Sequence, residues 1–340
     1  MTTQDSGSLR EDRDENLTLV LPNGRTIGYA RYGAAYSPHP TTIYLHGYPS
    51  SRLEAATVSQ QLLAAKLQVI SIDRPGLGLS TPSNTPFDER TVLHYAEDVR
   101  ALANHLDLKR FIIMGYSGGA PSAFACAYLM PKRLIGVAIV SGFGPYEFAM
   151  NKRVWRKLWW LNKLGLTLPV NHPKLYTSIY KAIVPWAVNR ATSTSYEKEI
   201  NSFSFRHFAS KTEDGKLMLQ QDGKQVYEDG VRNVEETFRQ ANFTQTHVEE
   251  ARLLAKPWPF TLEEVRAENV KLFYGMLDVN VPIEVGEMIR DAMGGRALLR
   301  RVEGATHATM PTRAVEWIRE VLGLEEIGTS KDEDKTDGKG

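Results

Sequence analysis

The stretch Phe111-Ile112-Ile113-Met114-Gly115-Tyr116-Ser117-Gly118-Gly119-Ala120 decides how the rest of the chain is read. Its first four residues are apolar and strand-prone, its centre is Gly-x-Ser-x-Gly, and an apolar segment of helix length, Ala120 to Met130, follows. A strand that becomes a helix within three residues sets the intervening side chain on a strained turn at the carboxyl edge of a sheet. The flanking glycines leave room for that turn and for whatever approaches Ser117. The next amide, on Gly118, then lies at a helix N-terminus, where it can stabilise an anion. Ser117 is therefore a candidate nucleophile, set against the plainer reading of a glycine-rich turn.

Upstream, Leu17 to Leu21 and Arg25 to Tyr32 are β-type runs flanking Pro22-Asn23-Gly24, an antiparallel hairpin signal. Strand and helix patterns then alternate: Thr41 to Leu45, Ala55 to Ala65, Gln68 to Ile72, Arg90 to Leu106, then the Ser117 unit and Leu134 to Val140. Such alternation predicts an α/β fold, a doubly wound and mostly parallel sheet with helices on both faces. From Gly144 to Leu254 the alternation stops. The chain there is helical, aromatic and basic, with Trp155, Trp159, Trp160, Tyr176, Tyr180 and Trp186. Alternation resumes at Val270 to Tyr274, Ile283 to Met293, Leu298 to Val302 and Ala314 to Leu322. The expected division is a core over 17–143 and 255–324, a helical cap inserted over 144–254, and disordered ends at 1–16 and 325–340, the last without an aromatic residue.

Composition narrows the function. The 340 residues are 42% hydrophobic, and 41 Lys plus Arg against 40 Asp plus Glu leave a net charge of +1, so no global field favours nucleic acid or an anionic membrane. A small-molecule partner is expected, and nothing in the sequence speaks to oligomeric state. One cysteine, Cys126, excludes an intramolecular disulfide, and no Cys and His spacing suits a metal; no cofactor is expected. Met1 to Asn16 lacks the apolar region of a signal peptide, and no apolar run nears the roughly 20 residues of a membrane span. A cytoplasmic setting without stable membrane insertion is expected. Lys152 to Lys163 reads as one amphipathic basic helix, either covering a site with its apolar face or meeting a membrane surface.

Serine attack needs a base and a group that orients it. His307 follows the strand ending at Val302 and Asp278 follows the strand ending near Tyr274, so both fall at carboxyl ends of parallel strands, where ligands bind in open α/β sheets. His307 would take the serine proton; Asp278 would fix the imidazole tautomer. Glu303 and Glu147 are the nearest other carboxylates in sequence. His46-Gly47-Tyr48-Pro49 follows the strand ending at Leu45, the position at which serine hydrolases built on such a sheet place a second oxyanion donor, which would here be the Tyr48 amide beside Gly118. Cys126, inside the apolar helix, reads as a core residue.

These segments, with Asp73-Arg74-Pro75-Gly76-Leu77-Gly78-Leu79-Ser80 and Gly275-Met276-Leu277-Asp278, resemble the α/β-hydrolase superfamily over Leu17 to Leu322. Ser117-Gly118-Gly119-Ala120-Pro121 further resembles capped fungal and plant members. The resemblance implies a serine hydrolase acting on an ester, lactone or thioester, with carbon-carbon bond hydrolysis, aminopeptidase action or non-catalytic ligand binding as alternatives. It also implies that His46 shapes the oxyanion loop; Asp73 and Arg74 resemble the family's charged residues after the fourth strand, and their plainer reading is a buried turn held by an ion pair. Relatives that open epoxides carry aspartate at the elbow, where this chain has Ser117.

Overall fold

The computed structural model describes residues 13–207, 212–220 and 222–324. Eight strands form a single sheet: β1 Asp14–Val20, β2 Thr26–Gly33, β3 Thr42–Leu45, β4 Gln68–Ile72, β5 Phe111–Tyr116, β6 Leu134–Val140, β7 Val270–Gly275 and β8 Leu298–Val302. Their spatial order is β1-β2-β4-β3-β5-β6-β7-β8. The pairings β1 with β2 and β2 with β4 are antiparallel, and all the others are parallel. The carboxyl ends of β3, β5, β6, β7 and β8 thus share one edge.

Period-two alternation explains why the central strands read as unbroken apolar runs. Ile43, Leu45, Ile113, Val137, Ile139 and Leu272 face one layer, built from helices over Val92–His105, Ala120–Leu129 and Ile283–Ala292. Tyr44, Ile112, Met114, Ala138, Val140 and Phe273 face the other, under helices Ser59–Ala64 and Ala314–Leu322. Each Val, Leu, Ile, Met or Phe side chain fully buried this way stabilises by about 1.5 to 3 kcal/mol. In chain order these helices frame an insertion between β6 and β7. We number α1 Ser59–Ala64, α2 Val92–His105, α3 Ala120–Leu129, then α4 Tyr146–Ala149, α5 Lys152–Lys157, α6 Trp160–Asn171, α7 Pro173–Ser193, α8 Tyr196–Asn201, α9 Phe203–His207, α10 Glu213–Met218, α11 Gly223–Thr237 and α12 Phe243–Leu253, followed by α13 Ile283–Ala292 and α14 Ala314–Leu322.

Two expectations are corrected. The first strand begins at Asp14, not Leu17, so residues 14–16, expected to be disordered, are ordered. Polar pairing holds them: Arg13 reaches Asp229 at 2.9 Å, Glu15 pairs with Arg232, and Arg52 Nε donates to the Glu15 carbonyl at 2.6 Å. The remaining expected disordered ends, 1–12 and 325–340, lie outside the described residues. Lys152 to Lys163 is also not one helix. α5 ends at Lys157, and Leu158 and Trp159 turn extended (ψ 136° and 146°) before α6. The break is fixed by Trp159 N donating to Val279 O at 3.1 Å, while Arg153 and Lys157 pair with Glu287 and Glu284 of α13. Among the described residues no helix is long and apolar enough to cross a membrane.

Candidate active site

Ser117 leaves β5 with φ +51°, a left-handed conformation that a non-glycine residue holds only at a cost of order 1–3 kcal/mol. Close approach of neighbouring backbone forces this turn and excludes side chains beside it. A Cβ on Gly119 would lie 2.1 Å from the Leu45 carbonyl oxygen, and one on Gly115 would lie 2.7 Å from Ala123 Cβ. A Cβ on Gly118 would meet Tyr48 Cβ at 2.8 Å and the Tyr48 amide nitrogen at 3.2 Å. The elbow is thus pressed against the loop after β3, and the backbones of Gly118 and Tyr48 lie side by side.

The loops after β7 and β8 bring Asp278 and His307 to the same edge. Gly275 allows it, since a Cβ there would strike the Ala305 carbonyl oxygen at 2.4 Å. Leu277 N then donates to Ala305 O and Met276 N to Val302 O, both at 3.0 Å, tying the loops together. His307 Nε2 lies 3.0 Å from Ser117 Oγ, and His307 Nδ1 lies 2.7 Å from Asp278 Oδ2. The other carboxylate oxygen of Asp278 accepts the amides of Asn280 and Val281, each at 2.8 Å. Asp278 is buried, and both of its oxygens are occupied in a fixed orientation. With Nδ1 donating to the carboxylate, Nε2 faces the serine as an acceptor. Ser117, Asp278 and His307 are therefore brought together, and neither Glu303 nor Glu147 takes the place of Asp278.

Sequence reasoning missed several supports. Tyr116, merely the variable residue of the motif, donates its hydroxyl to the His307 carbonyl at 3.0 Å, and its ring packs on the imidazole with centroids 5.1 Å apart. Glu54, with no periodic signal around it, accepts from the Gly47 amide and the Tyr44 hydroxyl, both at 2.8 Å, and so holds the loop that carries Tyr48. Burial raises its pKa, and those hydrogen bonds partly offset the rise. His46 is buried with Nδ1 2.9 Å from the Gly47 carbonyl; desolvation, then Arg74, hold its pKa well below 6.5, which suits a neutral, structural ring. Asp73 and Arg74 are both buried, but each pairs elsewhere: Asp73 with Arg52 at 2.9 Å, Arg74 with Glu250 at 3.6 Å. Burial lifts the Asp73 carboxyl to about 6 against the pull of Arg52. Cys126 is buried, and desolvation pushes its thiol pKa up.

The insertion closes over Tyr48. The Tyr48 hydroxyl donates to the His247 carbonyl at 2.7 Å, and Phe238, Tyr180 and Phe243 surround the His247 ring with centroids 4.8, 5.7 and 6.4 Å away. Burial lowers the His247 pKa to about 4. Its Nε2 lies 3.2 Å from the Thr237 carbonyl, whereas Nδ1 and the Tyr180 hydroxyl are buried with no hydrogen-bond partner among the described residues. Of the aromatic residues noted in the insertion, Tyr176 and Tyr180 pack inward here, but Trp159, Trp160 and Trp186 face solvent. α6 and α7, which carry Trp160 and Trp186, pack through other faces, and Trp159 lies in the extended break before α6; residue type alone does not reveal either. Among the described residues no group of three or more His, Cys, Asp or Glu is placed to hold a metal.

Residues 40–178 match the sequence model of the α/β hydrolase fold family. A soluble epoxide hydrolase of Corynebacterium sp. (strain C12) is 37% identical over 109 residues, 32% of this chain and 35% of that protein. A non-heme chloroperoxidase of Streptomyces lividans is 31% identical over 129 residues, 38% of this chain and 45% of that protein. The matches to these two curated relatives span less than half of their length. Among solved structures, an α/β hydrolase fold protein from Nakamurella multipartita superposes with TM-score 0.60 at 19% identity, covering 91% of this chain and 98% of the other. An α/β hydrolase enzyme from a Medee basin deep-sea metagenome library gives TM-score 0.61 at 13% identity, covering 92% and 99%. At such identities the likeness is one of fold.

Proposed function

We propose that this chain, a member of the α/β-hydrolase superfamily, hydrolyses an ester, lactone or thioester of a small hydrophobic metabolite through an acyl-serine intermediate. The observation that carries this reading is the continuous contact Ser117 Oγ, His307 Nε2, His307 Nδ1, Asp278 Oδ2, at 3.0 Å and 2.7 Å. Ser117 Oγ attacks the acyl carbon as His307 Nε2 accepts its proton. Asp278 stabilises the imidazolium that results. The carbonyl oxygen becomes an oxyanion facing the Gly118 and Tyr48 amides. Collapse of the tetrahedral species expels the alcohol or thiol, which leaves with the proton from His307. Water then enters by the same route: His307 takes its proton, hydroxide adds to the acyl carbon, and Ser117 departs reprotonated, releasing the acid.

Epoxide opening through an alkyl-enzyme ester needs a carboxylate nucleophile, which Ser117 does not supply. The aromatic set around Tyr48, with Tyr176 and Tyr180 turned inward from the inserted helices, supports a hydrophobic acyl or alcohol pocket under a cap. One buried cysteine suits a cytoplasmic setting. A fluorophosphonate probe tests the reading: the wild-type chain should label and Ser117→Ala should not. Ser117→Ala should also abolish turnover of p-nitrophenyl esters and lactones while leaving the melting temperature nearly unchanged, because only a small hydroxyl is lost. Residual turnover within about tenfold of wild type would remove Ser117 as the nucleophile. A folded wild-type chain that takes no label and turns over nothing would point to ligand binding without catalysis.

A further inference from the structure

We propose that the outer face of α6 and α7 docks the protein on an anionic lipid surface. α7 is 21 residues long, yet Tyr180 is its only buried residue. Its exposed apolar side chains Leu175, Ile179, Ile183 and Trp186 are 52%, 39%, 54% and 67% accessible. At about 100° per residue these four positions fall within an arc of about 80°, and the exposed Lys174 and Lys181 lie about 100° to 120° beyond one edge of it, on the solvent side of the helix. Helix α6, packed on α7, adds exposed Trp160 and Leu164. The loop that carries Asp278 also exposes Leu277 and Val279, and Trp159 N and Asn162 Nδ2 donate to the Val279 carbonyl, which ties that loop to the start of α6.

Charge identifies the occupant. From Phe148 to Tyr196 there are eight Lys and Arg and no Asp or Glu. With a net charge of +1 for the whole chain, 1 − 8 leaves −7 for the rest of it. Four of these eight cations lie on α5, where Arg153 and Lys157 pair with Glu287 and Glu284; the other four, Lys163, Lys174, Lys181 and Arg190, lie on α6 and α7, which carry no carboxylate and expose the apolar side chains. A second copy docking through the same face would set like charge against like charge. An anionic headgroup layer answers both features: Lys and Arg meet the phosphates while Trp and Ile enter the acyl boundary.

The full chain should sediment with vesicles of phosphatidylcholine containing about 30% phosphatidylserine and much less with phosphatidylcholine alone, and about 0.5 M salt should reduce the bound fraction. Two double variants test the two halves of the face. Ile183→Ala with Trp186→Ala, and Lys174→Glu with Lys181→Glu, should each lower the partition coefficient at least about tenfold at unchanged melting temperature. Equal partition of wild type and variants, no sedimentation with either vesicle, or indifference to phosphatidylserine would overturn the proposal. So would concentration-dependent self-association that the same variants abolish, since a second copy would then cover the face. No arm involves Ser117, so its failure is distinct from failure of the hydrolase reading.

Discussion

Asp278→Asn tests the orienting role of the carboxylate by replacing one oxygen with NH2. In the wild-type site Oδ1 accepts two backbone amides at 2.8 Å and Oδ2 accepts His307 Nδ1 at 2.7 Å. An asparagine here has two orientations. If its oxygen stays on the Asn280 and Val281 amides, its NH2 faces His307 Nδ1, which must become the acceptor, so the ring proton moves to Nε2. The histidine then presents a donor to Ser117 and cannot act as base. If the amide flips, its NH2 confronts two backbone donors and leaves both unsatisfied, at about 1 to 3 kcal/mol each, or about 2 to 6 kcal/mol together. The first orientation wins, and with it the unproductive tautomer. In the serine-protease triad the corresponding change costs about four decades of rate. Here kcat should fall by about 10² to 10⁴, at least about 2.7 kcal/mol of barrier, with KM changed far less. The assay is steady-state hydrolysis of p-nitrophenyl butyrate, with a thermal melt to establish folding. A folded variant with kcat within about tenfold of wild type would refute both the tautomer argument and the role of Asp278.

Gly119→Ala should cost about 2 kcal/mol or more of stability and most of the activity, because its Cβ would sit 2.1 Å from a backbone oxygen of the β3 exit that leads to Tyr48; an unshifted denaturation midpoint would contradict the packing described. His247 has a folded pKa of about 4 against 6.5 when free, so protons bind the unfolded chain preferentially between those values. Its contribution is complete above pH 6.5 and is lost as pH falls toward 4, by up to about 1.4 kcal/mol per pH unit. His247→Phe should therefore show a smaller drop in melting temperature between about pH 7 and pH 5 than wild type; parallel curves would place the acid sensitivity elsewhere.

Local pattern carried much of this molecule. The apolar run Phe111 to Met114, the glycines around Ser117 and the resumption of alternation at Val270 dictate strand, elbow and sheet because they act within a few residues. The meeting of Ser117, Asp278 and His307 was legible for a related reason: each lies in the segment just after a strand, within five residues of its end, and parallel strands deliver their carboxyl ends to one edge. What the chain does between those elements depended on contacts distant in sequence. Asp14 to Asn16 read as too polar to order, yet Asp229, Arg232 and Arg52 lie close enough to pair with its neighbours Arg13 and Glu15. The break at Leu158 and Trp159 follows from a hydrogen bond to Val279, 120 residues away by subtraction. Tryptophan and tyrosine in the insertion looked equivalent as sequence. Only the packing of α7 on α12 turns Tyr180 toward His247 and leaves Trp186 in solvent, because helix facing is settled by which neighbour a stripe meets.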